Sequence, residues 1–254
     1  MKISRIFTLT VSSMMLAACS QITEPITKEK HSHWGYTGHE SPEHWAELSP
    51  KFAICSEGKN QSPVDIVNTV DGKLAPINIH YRPSNVEIVN NGHTIQVDFK
   101  DENNQILLNG YTYTLKQFHF HVPSENKIRG KSFPLEAHFV HTDQNGNLAV
   151  LGILYVLSNE NQHLAPIWNN FPQKAGEKYK LTVPFDPTNL IPKNRDYYRF
   201  SGSLTTPPCS EGVKWLVLKQ YDNISQAQVD AFSTLMKGHN SRPVQPINAR
   251  VIVE

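Results

Sequence analysis

From residue 77 onward the chain alternates short apolar runs with turn signals, a pattern that predicts many strands and few helices. Asn85-Val86-Glu87-Ile88-Val89 leads into Asn91-Gly92, and residues 94–99 alternate apolar with polar. Residues 105–113 contain Asn109-Gly110, a pair suited to the left-handed backbone of a tight hairpin. Residues 148–157 are apolar almost throughout and predict a strand buried on both faces, too short to cross a membrane as a helix. Residues 213–218 predict another strand. Helical patterns are confined to residues 42–48, 163–171 and 225–238, the last with Ser225 as N-cap and Gly238 as its stop. With no internal repeat and no Gly/Ser linker in 254 residues, the expectation is a single, mainly β domain of the α+β class.

Charge removes one class of partner. Lys+Arg 24 against Asp+Glu 23, without a dense basic run, argues against nucleic acid. The first residues read as a processing signal: Lys2 and Arg5 precede an apolar run over residues 6–18 that is too short for an ordinary span. Leu16-Ala17-Ala18-Cys19 resembles the lipobox of bacterial lipoproteins, in which cleavage precedes a lipid-bearing cysteine. Ser20, where Asp is absent, resembles those sent on to the outer membrane. The expected division is a signal over residues 1–18, a polar tether over 19–32 punctuated by Pro25, and a domain over 33–254. An ordinary secretory signal with an incidental Cys19 is the alternative. Either route leads to an oxidising compartment, where Cys55 and Cys209 remain. Sequence gives no distance between them, so a bridge and two buried thiols both stand.

The chemistry concentrates in Gln117-Phe118-His119-Phe120-His121 and Glu136-Ala137-His138. Residues i and i+2 of a strand share a face, so His119 and His121 project together while Phe118 and Phe120 point away. His138 follows seventeen residues after His121, past a turn-rich segment long enough to bring a second strand alongside. A lone histidine in such a strand is usually an ordinary half-buried residue. Three imidazoles without a fourth protein ligand nearby match the ligand count of a catalytic zinc. Gln117 has the parity of His119, and Glu136 that of His138, so both can orient the ligands through hydrogen bonds.

These strands resemble the zinc-binding strands of the alpha-class carbonic anhydrases. The resemblance runs from His33-Trp34-Gly35-Tyr36 through Gln61-Ser62-Pro63-Val64-Asp65-Ile66, Asn90-Asn91-Gly92-His93, Ser124-Glu125-Asn126 and Gly202-Ser203-Leu204-Thr205-Thr206-Pro207-Pro208 to Arg242-Pro243-Val244-Gln245-Pro246. It implies a large central twisted, mostly antiparallel sheet with Zn(2+) at the base of a conical cavity. It also implies reversible hydration of CO2 to bicarbonate and a proton by a zinc hydroxide. In that scheme His93 shuttles the proton, and Thr205 with Glu125 gates the metal site. Val140, Val150, Leu204, Val213 and Trp215 seat CO2, and Thr206 contacts bicarbonate. Tyr36, Asn91 and Gln96 hold the cavity water, with Gln96 standing where an Asn is common. Val122 and Phe200 stand where Trp and Tyr are frequent. The resemblance further implies a Cys55–Cys209 bridge and cis peptides at Ser62-Pro63 and Pro207-Pro208.

Two other functions compete. A non-catalytic binding module of the same family typically loses a zinc histidine, and here all three are present. A zinc esterase remains open as a side activity, though no HExxH arrangement of a zinc protease occurs. The expected partner is a small molecule, with a membrane met only through Cys19. Oligomeric state stays open.

Overall fold

A computed structural model describes residues 33–254; the expected signal, the tether and Cys19 lie outside the described residues. Short alternating runs become short strands: β1 (Asp65–Ile66), β2 (Asn78–His80), β3 (Val86–Asn90), β4 (Ile95–Phe99) and β5 (Gln105–Leu108). The longer runs follow as β6 (Tyr111–His121), β7 (Lys127–Ile128), β8 (Leu135–Thr142) and β9 (Leu148–Leu157). The last strands are β10 (Lys178–Lys180), β11 (Tyr197–Ser203), β12 (Glu211–Leu218) and β13 (Asp222–Ile224). Among the described residues four short α-helices accompany them: α1 (Trp45–Leu48), α2 (Ile54–Glu57), α3 (Ala165–Trp168) and α4 (Gln226–Leu235).

Eleven of these strands form one sheet with the main path β10-β3-β4-β6-β8-β9-β12-β11. Strand β13 adds to β9, and the β2–β5 pair adds to β6. Only the pairings of β9 with β12 and β13 are parallel within it, so the sheet is mostly antiparallel as expected. β1 and β7 make a separate parallel pair. The Asn109-Gly110 hairpin closes with φ of 52° and 81°, both left-handed, which is the geometry that dipeptide favours. Ser225 caps α4 in a full capping box, its hydroxyl accepting from Gln228 N while Gln228 Oε1 accepts from Ser225 N.

The period of two along the strands separates two apolar clusters on opposite faces. One holds Phe118, Phe120, Ala137, Phe139, Leu151, Ile153 and Leu216. The other holds Val150, Leu154, Phe200, Val213, Trp215 and Val217. Strand β9 feeds both, which is why its sequence is apolar at odd and even positions alike. Rings of Phe118 and Phe139 stack with centroids 4.7 Å apart, locking β6 to β8 from the side away from the histidines.

The structure departs from expectation at the edges. The helices near residues 42–48 and 163–171 shrink to one turn each, α1 and α3, with Pro166 inside the first turn of α3. Strand β11 was not evident from its sequence, Tyr-Tyr-Arg-Phe-Ser-Gly-Ser, which lacks a clean alternation. Pairing with β12 on one side and the Arg199–Val253 bridge on the other makes it a strand. The cis peptides at Ser62-Pro63 and Pro207-Pro208 are present, and Val122-Pro123 is a third that was not anticipated.

Cys55 and Cys209 are bridged, with Cα atoms 5.1 Å apart across a separation of 154 residues. The bridge ties α2 to the loop after β11. Closing so long a loop restricts the unfolded chain strongly, so Cys55→Ser is expected to cost about 2 to 5 kcal/mol of stability. Urea unfolding under oxidising conditions checks this; an unchanged midpoint contradicts it.

Candidate metal centre

Register between β6 and β8 places His119 directly opposite His138, with Gln117 opposite Val140 and His121 opposite Glu136. A bulge between Leu115 and Gln117 precedes this segment, and beyond it the alternation runs unbroken to His121. The three imidazoles offer ring nitrogens that all lie within 4.8 Å of one another. Among the described residues no other group of three His, Cys, Asp or Glu side chains comes together in this way.

Two of the rings have one nitrogen committed to a neighbour through a hydrogen bond, and the third makes a close contact. His121 Nδ1 lies 2.8 Å from the carbonyl of Asn240. A carbonyl can only accept, so Nδ1 carries the proton and Nε2 keeps its lone pair. His119 Nδ1 donates to Gln117 Oε1 at 2.8 Å, leaving its Nε2 equally available. His138 presents Nε2 to Glu136 Oε1 at 3.1 Å, a contact of hydrogen-bond length whose alignment falls short of a well-formed bond. Its Nδ1 then faces the other two rings.

Burial keeps the rings uncharged. It pushes His119 and His138 well below the usual histidine range, and His121 down to about 4, so all three rings are neutral at pH 7. His121 Nε2 is buried without any hydrogen-bond partner in the protein. A bare buried acceptor of this kind is costly unless something fills it. Three neutral imidazoles with converging lone pairs suit a borderline cation such as Zn(2+) and leave its fourth position to a non-protein ligand. The residues therefore fit the metal.

Glu136 is held in place rather than left to face the histidine alone. It accepts from the backbone N–H groups of Glu125 and Asn126, each at 2.8 Å, and from Asn126 Nδ2 at 2.7 Å. Burial raises its pKa to about 6, and these donors pull in the opposite direction. Gly152, opposite His138, gives the carboxylate room: a Cβ there would lie 3.1 Å from Glu136 Oε1.

Glu125 lies fully buried behind the triad, 3.5 Å from His121 Nδ1 and 3.8 Å from His138 Nδ1. Burial pushes its carboxyl up to about 8, opposed by the Arg242 backbone N–H, by the Thr205 hydroxyl and by the Arg242 charge. A cation on the triad acts in the same direction as those opposing groups and favours the carboxylate. Glu125 Oε2 has no well-aligned bond, so Thr205 approaches the carboxylate without a fully formed contact.

A cavity of about 240 Å³ opens onto the triad. Val140, Val150, Leu204 and Trp215 supply apolar lining, and Thr205 and Thr206 also line it. The Trp215 ring meets His138 edge-on at 4.8 Å, and its indole N–H donates to the Ser203 carbonyl at 2.9 Å. Tyr36, Asn91, Gln96 and Gln117 supply polar lining, with Asn91 Nδ2 donating to Gln96 Oε1 at 3.4 Å. His93 also lines the cavity, its ring stacked on Trp34 at 3.7 Å with planes 6° apart. Burial and then the charge of His33 lower its pKa, against a smaller pull from Glu40.

The structure thus gathers nearly every residue singled out in the sequence. Among the proposed substrate contacts, Val213 is buried in one cluster with Val150 and Trp215, two residues before Trp215 on β12 and so on the same face of that strand. Sequence reasoning missed Asn240, whose backbone carbonyl fixes His121. No side-chain pattern announces a carbonyl in the loop after α4. Trp34 was visible within its sequence block, but its stacking on His93 was not.

With the geometry established, comparisons with known proteins place it. Residues 40–254 match the family model for eukaryotic-type carbonic anhydrase. A carbonic anhydrase of Neisseria gonorrhoeae is 55% identical over 244 residues, covering 96% of each chain. The alpha-carbonic anhydrase of Thermovibrio ammonificans, solved in complex with the inhibitor sulfanilamide, superposes with TM-score 0.86 at 48% identity, over 88% of this chain and 99% of that one. Dioscorin, solved in complex with ascorbate, superposes with TM-score 0.82 at 30% identity, over 87% and 97%.

Gln117→Ala is expected to keep the fold and lower zinc affinity by about 10- to 100-fold, because His119 loses the bond that fixes its tautomer. His138→Ala is expected to lose stoichiometric zinc altogether. Competitive chelator titration with metal analysis measures both. Wild-type zinc affinity in His138→Ala contradicts the assignment of the ligands.

Proposed function

The chain belongs to the alpha carbonic anhydrase family, and we propose that it is a zinc-dependent member that interconverts CO2 with bicarbonate and a proton. The observation that carries this reading is a cluster of three neutral imidazoles, two of them with tautomers set by hydrogen bonds, on a cavity lined by both apolar and hydrogen-bonding side chains. Zinc held by neutral ligands acidifies water to a pKa of about 7 and so supplies hydroxide at neutral pH, a value belonging to the family at large and not obtained from this geometry.

The chain's own residues supply the rest. CO2 has no hydrogen to donate and only weak acceptors, so Val140, Val150, Leu204 and Trp215 seat it by contact alone. An ionised Glu125 can only accept, so the Thr205 hydroxyl turns its hydrogen toward Glu125 and its lone pair toward the cavity. Thr205 then favours reacting groups that bring a hydrogen of their own, and Thr206 beside it meets the bicarbonate product. His93 takes up the released proton along water held by Tyr36, Asn91 and Gln96. An imidazole can both accept and release a proton, and burial holds that of His93 below its ordinary value.

The same proposal extends to location. Leu16-Ala17-Ala18-Cys19 supports export with lipid attachment at Cys19, leaving the domain over residues 33–254 tethered to the outer membrane and facing the periplasm. The Cys55–Cys209 bridge suits an oxidising compartment.

The purified zinc protein is expected to hydrate CO2 in a stopped-flow assay, and a zinc-replete protein without that activity would sink the proposal. His93→Ala should lower kcat on the order of tenfold or more and leave kcat/KM for CO2 nearly unchanged, since the proton leaves after CO2 is converted. Added imidazole should restore the rate. A loss confined to kcat/KM removes His93 from the proton path. Replacing Cys19 with Ser should release the protein from the membrane fraction with full activity; a wild-type protein already free of membranes contradicts the lipid anchor.

A further inference from the structure

Two sequence blocks that the mechanism above leaves unused, Gln61-Ser62-Pro63 and Arg242-Pro243, meet at one buried cation. Arg242 is only 3% exposed. Its backbone N–H donates to Glu125 Oε1 at 2.8 Å. Its guanidinium donates through Nη1 to Gln61 Oε1 at 2.9 Å and to the Ser62 carbonyl at 2.8 Å, and through Nη2 to the Cys55 carbonyl at 2.6 Å. Gln61 passes the connection on, its Nε2 donating to the Cys209 carbonyl at 3.0 Å. Cys209 closes the turn that carries the threonines, donating its own N–H to the Thr206 carbonyl at 2.9 Å. The Trp45 ring lies under the guanidinium, 5.6 Å away.

One residue therefore holds both halves of the gate. Its main chain grips the Glu125 carboxylate, and its side chain grips the loop of Thr205 through Gln61 and through both ends of the disulfide. Burying a guanidinium is costly, and a planar fork meets three acceptors at fixed angles in a way that a lysine ammonium cannot. We propose that Arg242 is a positioning residue that sets the spacing between Glu125 and the Thr205 loop, and with it the gate's preference for groups that donate a hydrogen. This rests on the reading of Thr205 and Glu125 given under the proposed function. The competing role is support of the fold alone.

Two probes separate these roles on zinc-loaded protein. Sulfanilamide offers an N–H to Thr205, whereas thiocyanate has no hydrogen to donate. Arg242→Lys is expected to weaken sulfanilamide about 10- to 100-fold, as a small displacement of an aligned group can. Thiocyanate affinity should move no more than about twofold, with zinc content unchanged. In a Thr205→Val background, Arg242→Lys should cost sulfanilamide no more than about a further twofold, because the interaction it acts through is already gone. Equal losses for the two probes, or full additivity of the two substitutions, overturns the proposal and leaves Arg242 a structural residue. If Arg242→Lys does not fold, Gln61→Met serves in its place, since it severs the path from Arg242 to the Cys209 carbonyl. It should show the same selectivity at smaller size, and wild-type affinities for both probes in folded Gln61→Met also overturn the proposal. Absence of CO2 hydration in the wild type is a separate failure, that of the proposed function, and the two-probe comparison is read independently of it.

Discussion

His119 and His138 face each other across antiparallel strands, and the remainder of the site is built around that register. Side chains on a strand alternate, so a slip of one residue between β6 and β8 would turn one histidine into the apolar cluster and bring a phenylalanine or alanine to the cavity. Stacking of Phe118 on Phe139 across the same two strands opposes the slip from the far face. The metal-binding face and the packed face are thus specified by the same alternation. Neither can be altered without the other.

Register alone would leave three rings free to rotate and change tautomer. The Gln117 amide and the Asn240 carbonyl fix two of them through hydrogen bonds, and the Glu136 carboxylate lies 3.1 Å from Nε2 of the third. These come from different elements, so the site forms only when the sheet, the loop after β6 and the loop after α4 have docked. Burial keeps the imidazoles neutral and raises the two carboxylates, and the surrounding N–H donors counter the second effect. The arrangement carries buried polar atoms, His121 Nε2 among them, that the protein itself does not satisfy. Local stability is sacrificed here to leave a position for a cation.

Much of this was legible in the sequence for physical reasons. Period-two alternation is a local property, so the ligand strands, the hairpin at Asn109-Gly110 and the doubly buried β9 could be read residue by residue. The parity of Gln117 and Glu136 with their histidines was likewise local. Long-range features were another matter. The path of the sheet and most of the proposed substrate contacts came from resemblance to a family, not from periodicity. Strand β11 takes its form from its neighbours, and the Asn240 carbonyl has no side-chain signature. Arg242 stood within a recognisable block, yet its contacts, more than a hundred residues away along the chain, appear only in three dimensions.

Three neutral imidazoles, His119, His121 and His138, would hold one zinc and leave one position for a non-protein ligand. X-ray absorption at the zinc edge of the loaded protein tests it most directly. The account predicts three imidazole nitrogens at about 2.0 to 2.1 Å and a single lighter ligand, an oxygen, completing a tetrahedron. Four protein ligands, a sulfur in the coordination sphere, or an average of fewer than three imidazoles would contradict it.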